Sequence, residues 1–384
     1  MLTKKNIIIS ALCVLSIWVV YSAKSFFEQK PFVVIQIYEE TAVGDKNQII
    51  GVVNAFKKHK QSLKVVDYPC NEKTDISKLI NDISGSNKNS LVIGVGKTAF
   101  AVLDKLSAKN LAHIKTLALG HQWTTAHFAL LGKVNWIAVP NYTVPDSLPD
   151  LSATKVIRTN GVSHAVTPES LHTECNAYKA KIPLTAADRV IILGGDTPTT
   201  AGVQKRFTKA DAIGLAIAIL HERNDGILYI VNGPRTGKLN ENLEEIKNIH
   251  RDERIDAVTT AFIETLKKQG VSENRIKLYD FKLGQKSLYT PLLAAAFLNN
   301  TAIWVPGESS SMICEVTSVI PPKNVLIYDN GAMNETHKKH VASVYAQGKA
   351  KRFYDGTLRD LIVKKVSLPD AHDQIVTVII ETIH

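Results

Sequence analysis

Short apolar runs alternate with amphipathic stretches along most of the chain. Apolar runs are typical of buried strands, and apolar residues three or four apart are typical of helices that cover a sheet. In the first half this pattern predicts strands at 32–38, 63–68, 90–94, 114–119 and 136–139, and helices at 45–60, 76–83 and 97–108. In the second half it predicts strands at 190–193, 226–231, 276–281, 302–305 and 324–328, and helices at 211–223, 255–269, 288–298 and 335–347.

This alternation of strands and helices predicts an α/β protein with a doubly wound parallel sheet in each half. Prolines 140, 145 and 149 indicate an irregular route out of the first half. We expect an anchor and linker at 1–30, a first Rossmann-like domain at 31–160, an interdomain segment at 161–189 and a second Rossmann-like domain at 190–384. The two domains are expected to face a cleft.

The amino-terminal segment 6–23 carries no charge and lies between Lys5 and Lys24. It is just long enough for a membrane helix, which typically needs about 20 residues. Residues 21–23 make a poor signal-peptidase site, which favours an uncleaved anchor over a cleaved signal peptide. Lysines on both sides of the segment leave its orientation open.

The formal net charge of +10, from 46 basic and 36 acidic residues, is spread along the chain. Scattered lysines argue against a nucleic-acid-binding arm, and we expect no nucleic-acid partner. A basic surface suits an anionic membrane or nucleotide, although a basic protein can lack both partners. The spacing of the four cysteines argues against a structural zinc site.

The segment 307–315, GESSSMICE, follows a predicted strand and opens a predicted helix. Ser309, Ser310 and Ser311 supply hydroxyls and an N-cap, and the amides of a helix start favour a phosphate oxygen. The carboxylate of Glu315 suits the hydroxyls of a ribose. The alternative is an ordinary helix cap.

A glycine pair follows another predicted strand in the segment 190–200. Gly194 and Gly195, with Asp196 and Thr197, come where parallel sheets bind ligands. The glycines allow either close approach to a diphosphate or a tight crossing between elements.

The turn at 232–238 follows the next predicted strand and holds two cations. Arg235 is the stronger phosphate candidate because its planar guanidinium can bind two oxygens, and Lys238 adds a less directional charge. The alternative is a solvated basic loop.

The first half supplies candidates for the acceptor side of a reaction. Asp45 and His121 are candidate bases for an acceptor hydroxyl, with a helix N-cap and an ordinary loop histidine as the alternatives. Asn47, Gln48 and Lys97 are expected on the same acceptor side.

His164 lies in the segment 161–171, GVSHAVTPESL. Its imidazole is interpreted either as an acid or base or as a group that orients the linker. A helix is expected to begin near Pro168.

Four stretches in chain order, 44–53, 161–171, 190–200 and 307–315, resemble the bacterial and plant mitochondrial-fission-protein-like family of glycosyltransferases. The resemblance covers roughly 32–322 and implies a glycosyltransferase-B-like fold that uses a nucleotide-sugar donor. Glu308 stands where the family has Asp, and 232–237 keeps one arginine of the family's pair. The late element also looks like the ribose-binding segment of the lipid-linked N-acetylglucosaminyltransferase of peptidoglycan synthesis.

The resulting hypothesis is a membrane-anchored glycosyltransferase that moves a sugar from a nucleotide-sugar to an unknown acceptor. No cofactor is expected, and no metal, because the fold resemblance implies none and the chain has no Asp-x-Asp motif. A single-pass protein of a bacterial inner membrane is expected. The alternative is a non-catalytic membrane adaptor of the same family, and a secreted binding protein would require signal cleavage.

Overall fold

The computed structural model of the protein describes residues 32–40, 42–59, 63–86, 88–149, 153–178, 182–197, 204–222, 225–352 and 368–382. Its strands are β1 (Val33–Glu39), β2 (Lys64–Cys70), β3 (Ser90–Val95), β4 (Ile114–Leu119), β5 (Trp136–Pro140), β6 (Lys155–Thr159), β7 (Arg189–Ile192), β8 (Leu228–Val231), β9 (Ile276–Tyr279), β10 (Ala302–Pro306), β11 (Val325–Tyr328) and β12 (Lys351–Arg352). Its α-helices are α1 (Val43–His59), α2 (Ile76–Ser84), α3 (Lys97–Ala108), α4 (Thr125–Leu130), α5 (Pro168–Tyr178), α6 (Lys209–His221), α7 (Ala257–Lys268), α8 (Tyr289–Asn299), α9 (Ser310–Val319), α10 (Glu335–Ala346) and α11 (Ala371–Thr382).

The predicted membrane segment at 6–23 lies outside the described residues. Among the helices that are described, none combines the length and apolar character needed to cross a bilayer.

The chain forms two compact units. The first contains the described residues up to Ala165 and those from Leu368 onward, and the second contains the described residues between Val166 and Ser367. Each unit has one six-stranded sheet, and every strand pair within it is parallel. The predicted α/β class, with one Rossmann-like sheet in each half, is therefore confirmed.

The first sheet has the order β2-β1-β3-β4-β5-β6. Its inner strands β1, β3, β4 and β5 are buried on both faces. Neighbouring residues of a strand contribute to opposite cores, because successive strand side chains point to opposite faces. Thus Val34 packs with α1 and α11, while Val33 and Ile35 pack with α2 and α3. Strands covered on both faces read as continuous apolar runs, which is why the sequence pattern located them.

The chain returns to the first sheet after its proline-rich stretch. Residues 155–159 form β6, which pairs in parallel with β5 from Trp136↔Lys155 to Pro140↔Thr159. The sequence pattern did not predict this strand, because its exposed Lys155 and Arg158 interrupt the apolar run.

Helix α11 belongs to the first unit, whereas the sequence analysis assigned residues 190–384 to the second domain. Its Ile375, Val376 and Ile379 are buried in the core formed with α1. The indole Nε1 of Trp136 donates to Thr382 Oγ1 at 3.0 Å. These contacts join the end of the chain to the first sheet.

The second sheet has the order β12-β11-β10-β7-β8-β9. Helices α6 and α7 contribute to the core on one face, and α5, α8, α9 and α10 contribute to the other. Helix α5 begins at Pro168 as expected, but its Leu171 and Cys175 lie in the core of the second unit. The segment expected to connect the domains is therefore divided between the units after Ala165.

Replacing Ile379 with Ala should destabilise the first unit, because this side chain is fully buried. We expect a loss of about 2–4 kcal/mol in the free energy of unfolding, as for other large-to-small core substitutions. Urea unfolding of the full chain measures this loss. The exposed Thr377→Ala on the same helix is the control and should change stability by less than about 0.5 kcal/mol. Equal stability of both variants would contradict the packing of α11.

Candidate functional site

The strand order of each sheet contains one switch point. From β7 the second unit builds outward to β8 and β9, and then from β10 in the opposite direction to β11 and β12. The loops that leave β7 and β10 therefore diverge, and open parallel sheets bind ligands in the resulting crevice. In the first unit the corresponding strands are β1 and β3.

Gly194 and Gly195 follow β7 and pack closely against the protein. A Cβ on Gly194 would lie 2.6 Å from Asn330 Nδ2 and 2.7 Å from Glu308 Oε1. A Cβ on Gly195 would lie 2.5 Å from the Cβ of Arg235. The glycines therefore form a tight crossing, one of the two interpretations that the sequence left open. The Gly195 N–H donates to Glu308 Oε1 at 2.8 Å.

Asp196 connects the loops around β7. Its Oδ1 accepts the N–H of Phe207 and its Oδ2 accepts the N–H of Leu239, each at 2.9 Å. Its main-chain carbonyl accepts Arg235 Nη1 at 3.1 Å. Burial raises the pKa of this carboxyl against the opposing effect of the two amides. Both of its oxygens are thus engaged in holding loops.

Thr197 also contacts protein groups. Its N–H donates to Lys205 O at 2.9 Å, and its hydroxyl donates to Ala332 O at 2.5 Å. The ammonium of Lys205 donates to Met333 O at 2.8 Å. Like Asp196, Thr197 positions the loops at the end of β7.

Arg235 has most of its donors available. Only its bond to Asp196 is formed with the described residues, and the side chain is half-buried. Lys238 instead pairs with Glu245 at 3.3 Å, with side chains 38% and 66% exposed. Such an exposed ion pair contributes little and can yield to a ligand.

Helix α9 begins at the switch point without a side-chain cap. Ser309 occupies the N-cap position, but its side chain makes no capping hydrogen bond, contrary to the expectation that these serines cap the helix. Ser309 is buried, and Ser310 and Ser311 are half-buried. A helix start leaves its first amides without intrahelical partners. These amides and hydroxyls together form a suitable anion site.

Two buried polar residues of this region were missed by the sequence analysis as site residues. Glu308 is 2% exposed and Asn330 is 1% exposed. Within the described residues, Glu308 Oε2 and Asn330 Nδ2 have no hydrogen-bond partner. Burial raises the pKa of Glu308. The available signal in the sequence was the position of Glu308 within the segment 307–315, whereas no local pattern marks Asn330.

Glu315 lies in the second turn of α9 and is 6% exposed. Its Oε2 accepts the hydroxyl of Tyr289 at 2.7 Å. Burial raises the pKa of Glu315 to about 7 against the effect of this bond. The other oxygen has no hydrogen bond among the described residues.

Two carboxylates meet at the switch point of the first unit. Glu39 accepts the Thr98 N–H at 2.9 Å at the start of α3. A Cβ on Gly96 would lie 2.9 Å from Glu39 Cγ and 3.5 Å from Asp45 Oδ2. Burial, and then the charge of Glu39, raise the pKa of Asp45 to about 6. A carboxyl that ionises near neutral pH suits proton transfer.

Asp45 lies inside the first turn of α1, which begins at Val43, so its alternative assignment as the N-cap is wrong. Gln48 is buried and points its Nε2 toward Asp45 Oδ1 at 3.5 Å. Asn47 is half-buried on the same helix, and Lys97 is exposed as the first residue of α3. The structure thus brings together Asp45 and Gln48.

The predicted histidines differ in exposure. His121 is exposed in the turn after β4. The neighbouring His127 is buried, contacts Thr124 through Nδ1 at 2.8 Å and has a pKa lowered to about 4 by burial. His164 is buried, with its ring centroid 5.3 Å from that of His372. This packing favours the structural interpretation of His164.

One cluster of the second unit, His250, Asp256 and Asp280, has the composition of a metal site. However, Lys282 Nζ lies 2.6 Å from Asp280 Oδ2, and Asn232 Nδ2 donates to both carboxylates. Asp256 also caps α7. Because an ammonium and amide protons already occupy these oxygens, we assign the cluster a structural role.

Comparisons with known proteins give distant similarities of fold. No family profile and no curated protein matches the chain. Similar solved structures include MurG of Acinetobacter baumannii, with 11% identity, a TM-score of 0.41 and coverage of 92% of both chains. A UDP-GlcNAc 2-epimerase of Neisseria meningitidis bound to UDP-GlcNAc has 13% identity and a TM-score of 0.46, covering 92% of this chain and 94% of that one. An Escherichia coli protein described as "Trehalose-6-phosphate" bound with UDP-2-fluoro glucose has 8% identity and a TM-score of 0.41, covering 91% and 96%.

These similarities concern the fold, and the chemistry of this chain has to be inferred from its own residues. The resemblance to the mitochondrial-fission-protein-like family stays a prediction, because no family profile matches.

Asp45→Asn tests the carboxylate pair. The pKa of Asp45 is about 6 in the folded chain against 3.8 for the free group, so the folded state favours the protonated carboxyl. The resulting stabilisation of the fold is complete below pH 3.8 and is lost as the pH rises through 6. Asn cannot ionise, so the variant should match the wild type near pH 4 and exceed it at about pH 8 by about 1–3 kcal/mol. The lower end allows for solvent screening of a half-buried group.

Urea unfolding at both pH values measures the difference, with the exposed carboxylate of Asp146 replaced by Asn as the control. A difference between Asp45→Asn and wild type that does not change with pH would refute the raised pKa.

Proposed function

We propose that the second unit binds a nucleotide-sugar and that the protein transfers the sugar to an acceptor. The observation that carries this proposal is the uncapped start of α9, with three serine hydroxyls, at the switch point of the sheet. Free helix amides attract the oxygens of a phosphate. Arg235, from the loop after β8, supplies a positive charge at the same sheet edge.

The nucleotide is proposed to extend from the phosphates toward Glu315, whose second oxygen accepts a ribose hydroxyl. Tyr289 holds the first oxygen and so orients the carboxyl. With a pKa of about 7, Glu315 is partly ionised at neutral pH, and its ionised form is the stronger acceptor.

The reaction that fits these groups is glycosyl transfer. An acceptor oxygen forms a bond to the anomeric carbon of the sugar, the bond to the diphosphate breaks, and the nucleoside diphosphate leaves with the electron pair. Asp45 is proposed to take the proton of the acceptor, because its pKa of about 6 lies near the operating pH of a base. His121 remains the second candidate for this role.

The donor groups proposed for the diphosphate are main-chain amides, hydroxyls and a guanidinium. They can stabilise a leaving diphosphate through charge and hydrogen bonds, so the proposal needs no metal ion. Residues 6–23 are proposed to anchor the protein to the membrane, with the sugar, the acceptor and the side of the membrane left open.

A second candidate function is a non-catalytic membrane adaptor. The observation in its favour is that two main-chain amides at the switch points already donate hydrogen bonds to carboxyl groups of the protein. Glu39 accepts the Thr98 N–H, and Glu308 accepts the Gly195 N–H. A chain that had lost its ligand could retain such internal acceptors. Titration of the full chain with nucleotide-sugars, followed by mass spectrometry for transfer or hydrolysis, decides between the two functions.

Glu315→Gln should weaken nucleotide-sugar binding more than folding, because it removes the charge of the ribose acceptor. Loss of a charge-assisted hydrogen bond of about 1.5–3 kcal/mol corresponds to about 10- to 150-fold in affinity. The wild-type affinity should also rise with pH through about 7 as Glu315 ionises, and the variant should lose this rise. Calorimetry at several pH values measures both effects. Unchanged affinity in a folded variant would remove Glu315 from the site.

Arg235→Ala should lower affinity for a nucleoside diphosphate more than for the nucleoside alone, because the guanidinium is proposed to contact phosphate. The alanine keeps the Cβ that packs against Gly195, so folding should be preserved. We expect a loss of about 10-fold or more for the diphosphate, as for one charge-assisted hydrogen bond.

Calorimetry with both ligands at fixed salt tests this difference. The exposed Arg254, which pairs with Asp252 at 2.6 Å, provides the control variant Arg254→Ala. A proportionate loss for both ligands would indicate general damage to the pocket instead of a lost phosphate contact.

A further inference from the structure

Arg206 lies beside the switch point of the second unit, outside every motif of the sequence analysis. Its two chain neighbours are fixed to the end of β7. The carbonyl of Lys205 accepts the Thr197 N–H at 2.9 Å, and the N–H of Phe207 donates to Asp196 Oδ1 at 2.9 Å. Arg206 is therefore held beside Asp196 and Thr197, which follow the glycine pair.

The guanidinium of Arg206 has unused donors. Its Nε is buried, and no acceptor for it lies within the described part of the chain. The side chain as a whole is half-buried. Guanidinium groups present five donors and cannot lose their charge in a protein. A buried donor without a partner is costly, which favours an acceptor supplied by a ligand.

Arg206 and Arg235 act on the same carboxyl. Both charges lower the pKa of Asp196, although burial has the larger and opposite effect. Within the described residues neither arginine forms an ion pair with Asp196, because its two oxygens accept the amides of Phe207 and Leu239. Arg235 Nη1 donates to the main-chain carbonyl of Asp196, and the N–H of Phe207, the residue after Arg206, donates to its side chain. Both arginines therefore lie next to Asp196.

The carboxyls of this region are engaged by main-chain amides. Burial raises the pKa values of both Asp196 and Glu308, against the opposing effect of Arg235. The two oxygens of Asp196 accept the amides of Phe207 and Leu239, and Oε1 of Glu308 accepts the Gly195 N–H. An anionic ligand would supply acceptors to the permanently charged guanidiniums of Arg206 and Arg235.

We propose that Arg206 is a second phosphate-binding residue and that Arg206 and Arg235 together select a diphosphate over a monophosphate. The proposal rests on the proposed binding of a nucleotide-sugar and adds that the site recognises the diphosphate of this ligand. Each planar guanidinium can bind two oxygens of one phosphoryl group, so two of them match two adjacent phosphoryl groups.

The test compares inorganic pyrophosphate and inorganic phosphate as probes, because they contain no base or sugar. Calorimetry on the full chain at fixed salt measures both affinities for the wild type, Arg206→Gln, Arg206→Lys and Arg235→Gln. Arg254→Gln, at an exposed arginine of the same unit, is the matched control. Thermal unfolding confirms that each variant is folded.

Arg206→Gln should weaken pyrophosphate binding by about 10- to 100-fold, as for one charge-assisted contact, and phosphate binding by much less. Arg206→Lys keeps the charge but loses the planar pair of donors, so it should bind with intermediate affinity. The control should bind like the wild type.

Three results would overturn the inference. If Arg235→Gln weakens pyrophosphate binding and Arg206→Gln does not, Arg206 is outside the site while the proposed function stands. If Arg206→Gln weakens phosphate and pyrophosphate binding equally, the arginine contributes general charge and selects no diphosphate. If the wild type binds neither pyrophosphate nor nucleoside diphosphates, the proposed function and this inference both fail.

Discussion

The second unit depends on one buried carboxyl at the end of its first strand. Asp196 accepts amides from two loops that are distant in sequence, at Phe207 and Leu239, and its carbonyl holds Arg235. Gly195 packs tightly against Arg235, so the loop that carries Arg235 has to stay in place. Burying an acid is costly unless its oxygens accept hydrogen bonds. Here the donors are main-chain N–H groups of the surrounding loops. Asp196 thus binds Arg235 directly and fixes the main chain next to Arg206.

In each unit, a side-chain carboxyl group accepts a hydrogen bond from a main-chain N–H at the switch point. Glu39 does so at the start of α3 and Glu308 does so at Gly195. A carboxylate near a helix start is stabilised by the same dipole that attracts phosphate. In the first unit the carboxyl of Glu39 lies where an anionic ligand would otherwise meet the start of α3. In the second unit the start of α9 has no side-chain cap, and its amides and hydroxyls are the groups proposed to bind an anion.

The predictions from sequence succeeded where local pattern decides the structure. Strands such as β4 and helices such as α3 were located because their apolar residues are contiguous or periodic. Residues whose role depends on distant partners were not located. Arg206, Asn330 and the contact between Glu315 and Tyr289 involve separate loops, and no local spacing marks them. The serines of 309–311 show the limit of local rules, since a capping sequence is present without the cap.

The return of the chain to its first unit also bears on its biosynthesis. A ribosome delivers residues in order, so all described elements of the second unit emerge before α11 does. While the second unit is synthesised, α11 is not yet available to the first sheet. The part of its core that Ile375, Val376 and Ile379 fill stays uncovered during this time. Exposed apolar surface of this kind is prone to aggregation and is a target for chaperones. Translation that stops short of the last helix would leave the first unit incomplete and the second intact.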